Sequence, residues 1–430
     1  MNPFLRFPPP EAHGPLPARL YARFDEAMEG TLGRTELLFG AIDADWFDTG
    51  TRSNELMMRG DIRRDAIDKL PVYFLEVDVF GQSGGPWVVD GKNKLSEDDW
   101  VQIEIAESGD SRLYPNLYGA AQRVAVTSAA PVSSAQAPTL DETHSLDEWV
   151  VDEQEVLDYL ASLNSPKIEQ CAVYDVGQGT TISFSDSSNI PFAYFDFGGG
   201  TRSHTNTRPH RIPHFCLTRR PPIILSHWHD DHWSSGPLIP NSVALALTWI
   251  APSQTVSGPH IALISAVVGA NGTMMVTRGS RISLSNAVFH RANGNSVNNS
   301  GFWAEVSSPY GGHPLLLPAD ASYSHLQNMP SLVEGIAVTH HGADWKHVQL
   351  PPKCVSTVNK AVFSFGLPNS YGHPTTRSRQ DHTGGKQIDT ANRTSSASGN
   401  GSGHAHLDWL GRPIPTAPCG NMQCYQNLDQ

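Results

Sequence analysis

The most constraining stretch of the chain is PPIILSHWHDDHWSSG, residues 221–236. An apolar run bounded by a turn reads as a buried strand. Here it delivers His227, His229, Asp231 and His232 at its end, on a rigid anchor of the kind a metal site needs. Residues i and i+2 of an extended or turning segment can converge on one ion, and the next pair can reach a second. Borderline metals such as zinc take mixtures of imidazole and carboxylate. The plainer alternative is a surface loop that happens to be histidine-rich, and such a loop needs no buried strand before it.

Two further stretches complete a ligand set. LLLPADAS (315–322) ends a very apolar strand with Asp320, and a carboxylate at such a position can bridge two cations. IAVTHHGAD (336–344) ends another strand with His340 and His341, then Gly342. Together they predict two divalent ions about 3.5–4 Å apart, an arrangement that lowers the pKa of a nearby water, holds it as hydroxide and neutralises an anionic transition state. This is hydrolytic rather than redox equipment. Zinc is the expected metal, with manganese as the alternative.

Length and charge bound the rest. A chain of 430 residues has room for two or three domains. Only 17% of residues are charged, with 37 Gly and 32 Pro, which suits a loop-rich globular protein better than a coiled coil or solenoid. Residues 1–160 carry 29 Asp or Glu against 13 Lys or Arg, whereas residues 161–430 carry 14 against 17. That asymmetry suggests two units with different surfaces. The acidic unit reads as a solvated domain, with binding of a basic protein partner or masking of the other unit as alternatives. Cys171, Cys216, Cys354, Cys419 and Cys424 are odd in number and lack zinc-finger spacing, so a disulfide scaffold is not expected. The N-terminal MNPFLRFPPPEAHGPLP has no apolar core of a signal peptide, and no run approaches 18 apolar residues. A cytoplasmic protein without a membrane span is the resulting expectation.

Along the chain, residues 1–20 read as a flexible arm and 21–124 as an acidic domain. Within that domain RFDEAMEGTL reads as a short helix, and PVYFLEVDVFG and WVQIEIAES read as strands by their alternation. The Ala/Ser/Pro-rich segment 125–145 reads as a linker. A helix is expected after it, with Ser145 and Glu148 forming a capping box. From about residue 170 short strands dominate, and polar residues fall where the strands end. HIALISAVVGA reads as a short helix, with a buried strand as the alternative. Residues 376–430 read as a mobile loop followed by a docking segment, HLDWLG. The paired His404 and His406 there have no other ligand near them in the sequence.

The stretches YDVGQGT, FDFGGG, SHWHDDHWSSG, NNSGFW, LLLPADAS, VTHHGAD and FSFGLPNSYGHP give residues 168–375 a resemblance to the metallo-β-lactamase fold superfamily. The similarity is to the branch that contains the hydrolase-like domain of bacterial competence (DNA-uptake) proteins and phosphorylcholine esterase. It implies an α/β fold, an αββα sandwich spanning residues 146–375, beside an additional N-terminal mixed or β-rich domain. It also implies roles. His227 and His229 would hold the first metal, Asp231 and His232 the second, Asp320 would bridge, and His340 would complete the second site. Asp231 would count among the catalytic groups too, with His341 meeting a ligand or the scissile group and His373 facing substrate. Asp196 would orient the histidine loop from behind the ligands, and Asn299 would stand before the strand leading to Asp320. Two departures are visible. The family's third histidine for the first metal is missing, because His260 and His290 read as a helix start and a strand end, and His313 lies across a strand from Asp320. Thr180 stands where relatives carry an acid.

The substrate expectation is a small phosphodiester or other anion. Arg202, Arg208 and Arg211 lie in the basic strip RSHTNTRPHRIPHFCLTRR and could attract phosphate oxygens; an ordinary basic loop is the alternative. Nuclease action on single-stranded or short nucleic acid is a narrower form of the same reading, though a net charge of −13 does not favour a large nucleic-acid footprint. Lactam or lactone hydrolysis and a non-catalytic metal-binding scaffold are the remaining alternatives.

Overall fold

The computed structural model describes residues 1–10, 14–29, 35–52, 61–79, 95–96, 99–200, 207, 214–238, 241–343, 349–355, 360–366, 369, 371–382, 386–391 and 404–411. The chain divides into two compact units, Met1–Glu148 with Thr255–Asn271, and Trp149–Gln254 with Gly272–Gln430.

The first unit contains β1 (Arg19–Glu29), β2 (Thr35–Asp43), α1 (Ala44–Arg52), α2 (Asp61–Lys69), β3 (Val72–Asp78), β4 (Trp100–Tyr114), β5 (Gln122–Pro131) and α3 (Ala137–Thr143), together with the later helix Gly258–Gly269. All five strands pair antiparallel, and β4 is long enough to pair β1 through its first half and β3 through its last, closing the sheet on itself. Every second residue turns inward: Leu20 and Ala22, then Leu37, Phe39 and Ala41, then Tyr73, Leu75 and Val77, then Val101, Ile103 and Ile105. This is the period of a half-buried strand.

Three expectations for this half of the chain are corrected. The segment RFDEAMEGTL is not a helix but belongs largely to β1, because pairing to β2 on one edge and β4 on the other outweighs local helix propensity. The expected linker 125–145 carries most of β5 and all of α3, since small residues suffice for a strand paired along β4. The first residues are not a loose arm: Asn2 donates to the carbonyls of Ile67 and Leu70, and Phe4 packs edge-on against Phe74.

The second unit opens with β6 (Val150–Val151) and α4 (Glu153–Ser162). The helix therefore starts later than Ser145 predicts. Val150 and Val151 extend a sheet instead, and Ser145 Oγ accepts from the Asp147 N–H. There follow β7 (Gln170–Val173), β8 (Thr181–Ser185), β9 (Pro191–Phe197), β10 (Ile223–Ile224) and β11 (Thr248–Pro252). The chain then forms the first unit's helix Gly258–Gly269 (α5) and returns as β12 (Thr273–Thr277). It continues through β13 (Arg281–Leu284), β14 (Ala287–Arg291), β15 (Phe302–Val306), β16 (Leu315–Leu317), β17 (Leu332–Val333), β18 (Gly335–Ala337), β19 (Lys353–Cys354), β20 (Lys360–Phe365), α6 (Thr376–Asp381), β21 (Lys386–Ala391) and β22 (Ala405–Asp408).

Two mixed sheets result, with orders β22-β7-β8-β9-β10-β11-β12-β6 and β13-β14-β15-β16-β18-β20-β21. One core lies between them. It takes Val173, Ile182, Phe184, Phe195, Ile224 and Ile250 from the first sheet, and Ile282, Phe289, Phe302, Ala304, Leu315, Leu317 and Val362 from the second, with Val156 and Leu160 of α4. The architecture is thus a mixed α/β sandwich with a β-rich unit before it. The segment expected to be mobile and docking contributes α6, β21 and β22, of which β22 pairs antiparallel with β7. Residues 392–403 lie outside the described residues. Among the described residues no helix is long and apolar enough to cross a membrane.

Candidate metal centre

The parallel halves of the two sheets put five chain segments at one end of the sandwich. β9 runs parallel to β10, β16 to β18, and β18 to β20. Just past or at their C-terminal ends come Asp196, the 225–236 loop, Asp320, His340 with His341, and Ser364. Clefts outside the carboxyl ends of parallel strands are where such sheets bind ligands.

Glycines let the segments close on one another. The Asp231 carbonyl accepts from the Thr180 N–H at 3.1 Å. A Cβ at Gly198 would lie 1.7 Å from that same carbonyl oxygen, and one at Gly179, whose φ is +136°, would lie 2.4 Å from it. Gly301 meets the Ser226 carbonyl in the same way, at 2.4 Å, and the next N–H, of Phe302, donates to it. The motifs DVGQGT, FDFGGG and NNSGFW are therefore the backbone seats of the histidine loop. Trp228 and Trp233 are buried packing: their indole N–H groups donate to the carbonyls of Pro252 and Trp228.

The ring orientations are fixed from behind. Asp196, fully buried, accepts from the Ser226 N–H at 2.6 Å, from the Ser226 hydroxyl at 2.8 Å and from His232 Nδ1 at 2.8 Å. With its hydroxyl proton given to Asp196, Ser226 Oγ accepts from His227 Nδ1 at 2.9 Å. His341 Nδ1 lies 2.7 Å from the Ser364 carbonyl, which can only accept. All three imidazoles thus carry a proton on Nδ1 and turn Nε2 inward. There each Nε2, and Asp320 Oδ1, is buried without a hydrogen-bond partner. Buried polar atoms are rarely left so, and an imidazole whose Nδ1 is tied to a carboxylate or carbonyl is the usual preparation of a metal ligand.

The inward atoms form two groups, His227, His232 and Asp320, and Asp231, His232 and His341, each with ligand atoms within 4.8 Å of one another. His341 Nε2 lies 3.1 Å from Asp231 Oδ2 and 3.5 Å from Asp320 Oδ2; His232 Nε2 lies 3.3 Å from Asp320 Oδ1. His227 Nε2 is 3.9 Å from Asp320 Oδ2. An imidazole nitrogen has one lone pair and serves one cation, whereas a carboxylate has two oxygens. Asp320, a member of the first group, also lies 3.5 Å from His341 of the second. The donor set, imidazole plus carboxylate in two adjoining clusters, suits a dinuclear site for metal-dependent hydrolysis.

Electrostatics point the same way. Burial disfavours the charge on every member, but the mutual attraction is larger for several of them. Asp320, Asp196 and Asp231 hold His232 well above the usual imidazole pKa, and Asp320 and Asp231 raise His341 to about 10. Asp231 and Asp320 are correspondingly depressed by the same histidines. His227, pushed by burial and then by His232, goes well below. The buried carboxylates thus favour positive charge on the histidines that face them.

Of the expected ligands, His227, Asp231, His232 and Asp320 fall in the two groups, and His341 stands there where His340 was expected. His340 and His341 both adopt left-handed backbone, with φ of 46° and 55°, which sends their rings apart. His341, 2% exposed, enters the second group; His340, 16% exposed at its side chain, lies 3.8 Å from Asp320 Oδ2 at the group's edge. His229 stands beside His227, ring centres 4.8 Å apart, and belongs to neither group. His373 lies against His340, ring centres 5.5 Å apart, and burial, then His340 and His341, hold its pKa well below the usual value. Asn299 accepts from the Ser322 N–H at 2.9 Å and so supports the loop that follows Asp320. His260 and His290 sit at a helix N-terminus and in β14, as their sequence context suggests. His404 accepts from the Asp175 N–H. Arg202, Arg208 and Arg211 lie outside the described residues. Nearby, Arg219 pairs with Asp186 and Arg220 donates to the Ala246 carbonyl. Ser226, the Ser364 carbonyl, Asn369 and Gln178 were not singled out from the sequence. The hydroxyl directly before the first ligand, and the amides inside two of the quoted motifs, were the available signals.

No protein-family model matches the chain, and no curated protein sequence matches it either.

Proposed function

We propose that the second unit is a metal-dependent phosphodiesterase with a metallo-β-lactamase-like fold, of the branch its motifs resemble. The observation that carries the reading is the set of three Nδ1-tethered imidazoles whose Nε2 atoms turn inward towards Asp231 and Asp320. In this reading His227 and Asp320 would hold one divalent cation, zinc or manganese, with His229, which stands beside His227 outside both groups, as the third ligand that the resemblance implies. Asp231, His232, His341 and Asp320 hold the other, with His341 taking the place expected of His340. When bound, two such cations supply Lewis acidity, a nucleophile at neutral pH and charge compensation for an in-line displacement.

The residues of the chain do the positioning. Asp196 and Ser226 keep two rings fixed while charge develops. In this reading His340 and His373, beside the ligands rather than among them, would face the phosphodiester. Water and the diester give a phosphomonoester and an alcohol, and the neutral His373 is placed to hydrogen-bond an oxygen of the reacting phosphate. The test is turnover of bis(p-nitrophenyl) phosphate by metal-loaded protein, beside ester, lactone and lactam probes. Phosphodiester turnover lost in Asp320→Ala supports the reading. Turnover confined to lactams or lactones overturns the substrate class, and bound metal without any turnover overturns the enzyme in favour of a scaffold.

A further inference from the structure

Gln178, in the middle of DVGQGT, is buried and is not a member of either candidate ligand group. Its amide spans two parts of the site. Oε1 faces the Gly366 N–H at 3.5 Å, and Nε2 faces His373 Nδ1 at 3.4 Å. The Gly366 N–H can only donate, so it selects the amide orientation: oxygen towards Gly366, NH2 towards His373. An NH2 group can only donate as well. His373 Nδ1 must then be the acceptor, and the ring proton sits on Nε2.

The surroundings hold both partners still. Asn369 Oδ1 accepts from the His373 N–H at 3.0 Å, while its NH2 donates to the carbonyls of His373 and Gly366 at 2.7 and 2.6 Å. The Gln178 backbone N–H is bonded to the Thr207 carbonyl at 2.7 Å. His373 is thus prepared oppositely to the ligand histidines. Those carry a proton on Nδ1 and turn Nε2 to the centre; His373 carries its proton on Nε2.

We infer that Gln178 is a positioning residue that fixes His373 as the Nε2–H tautomer, so that His373 offers the substrate a neutral N–H donor and not a metal-binding lone pair. The inference rests on the phosphodiesterase reading for its substrate, but its physical content does not depend on turnover.

The experiment is long-range nitrogen–proton correlation NMR on zinc-loaded, histidine-labelled protein, with the His373 signals identified by their loss in His373→Ala. The wild type should show a protonated Nε2 and a bare Nδ1. In Gln178→Glu the carboxylate accepts from both Gly366 and the ring, so Nδ1 should become protonated. A bare Nε2 in the wild type, or an unchanged pattern in Gln178→Glu, overturns the inference and leaves the hydrolase reading standing. The kinetic arm is kcat and KM for bis(p-nitrophenyl) phosphate at unchanged zinc content. Loss of one donor to developing charge is worth on the order of 10²-fold in kcat, and Gln178→Glu should show that loss mainly in kcat. Unaltered kcat overturns the role assigned to the tautomer. No turnover by the wild type overturns the phosphodiesterase reading, while the NMR result still decides the tautomer.

Discussion

Asp196→Asn is the most informative change near the centre, because it preserves shape and alters one proton. Asp196 accepts three hydrogen bonds and is a member of neither inward group. The Ser226 N–H needs an acceptor, so the amide oxygen of asparagine must stay there, and its NH2 then faces the Ser226 hydroxyl and His232 Nδ1. Two donors cannot share that contact. His232 is driven to the other tautomer, which aims an N–H at Asp320 where a lone pair is required. Loss of such an outer partner weakens metal binding about 10–100-fold, or roughly 1.4–2.8 kcal/mol. Competition against a chromogenic chelator measures this directly, and the equivalent assigned to His232 should be affected most. Wild-type affinity for both equivalents in a folded Asp196→Asn protein would refute the tautomer argument.

Three further outcomes are expected. Gly198→Ala places a Cβ 1.7 Å from the Asp231 carbonyl; overpacking of this kind costs about 1–3 kcal/mol, seen as a lower thermal midpoint together with a lost metal equivalent. In metal-free protein the raised His341, at about 10, stabilises the fold fully below the unfolded histidine value of about 6.5, and that contribution fades as pH rises through 10. The depressed Asp231 and Asp320 act in the opposite sense, stabilising above about pH 4 and failing as pH falls, so denaturant midpoints should decline at both ends. Metal loading near neutral pH must displace the protons on His232 and His341, so calorimetry in buffers of different ionisation enthalpy should show proton release.

Much of the second unit is legible in its sequence because its strands are apolar, short and each ended by a polar residue. PPIIL, LLLP and GIAV announce β10, β16 and β18, and the ligands follow each at once. What the sequence cannot show is which of two adjacent histidines turns inward. That depends on two consecutive left-handed residues, a conformation set by the contacts of His341 with Ser364 and Asp231. Partners through backbone, such as the Ser364 carbonyl, leave no residue signature either. In the first unit β1 and β5 are illegible for a different reason. Their residues favour helix or loop locally, and only pairing along β4 and β2 makes them strands.

The central claim is that two cations share Asp320, one of them held by Asp231. Elemental analysis of protein saturated with zinc or manganese and freed of excess tests it in one measurement. The account predicts two ions per chain in the wild type and one in Asp231→Ala. A wild type that retains none, or an Asp231→Ala variant that still retains two, would contradict it.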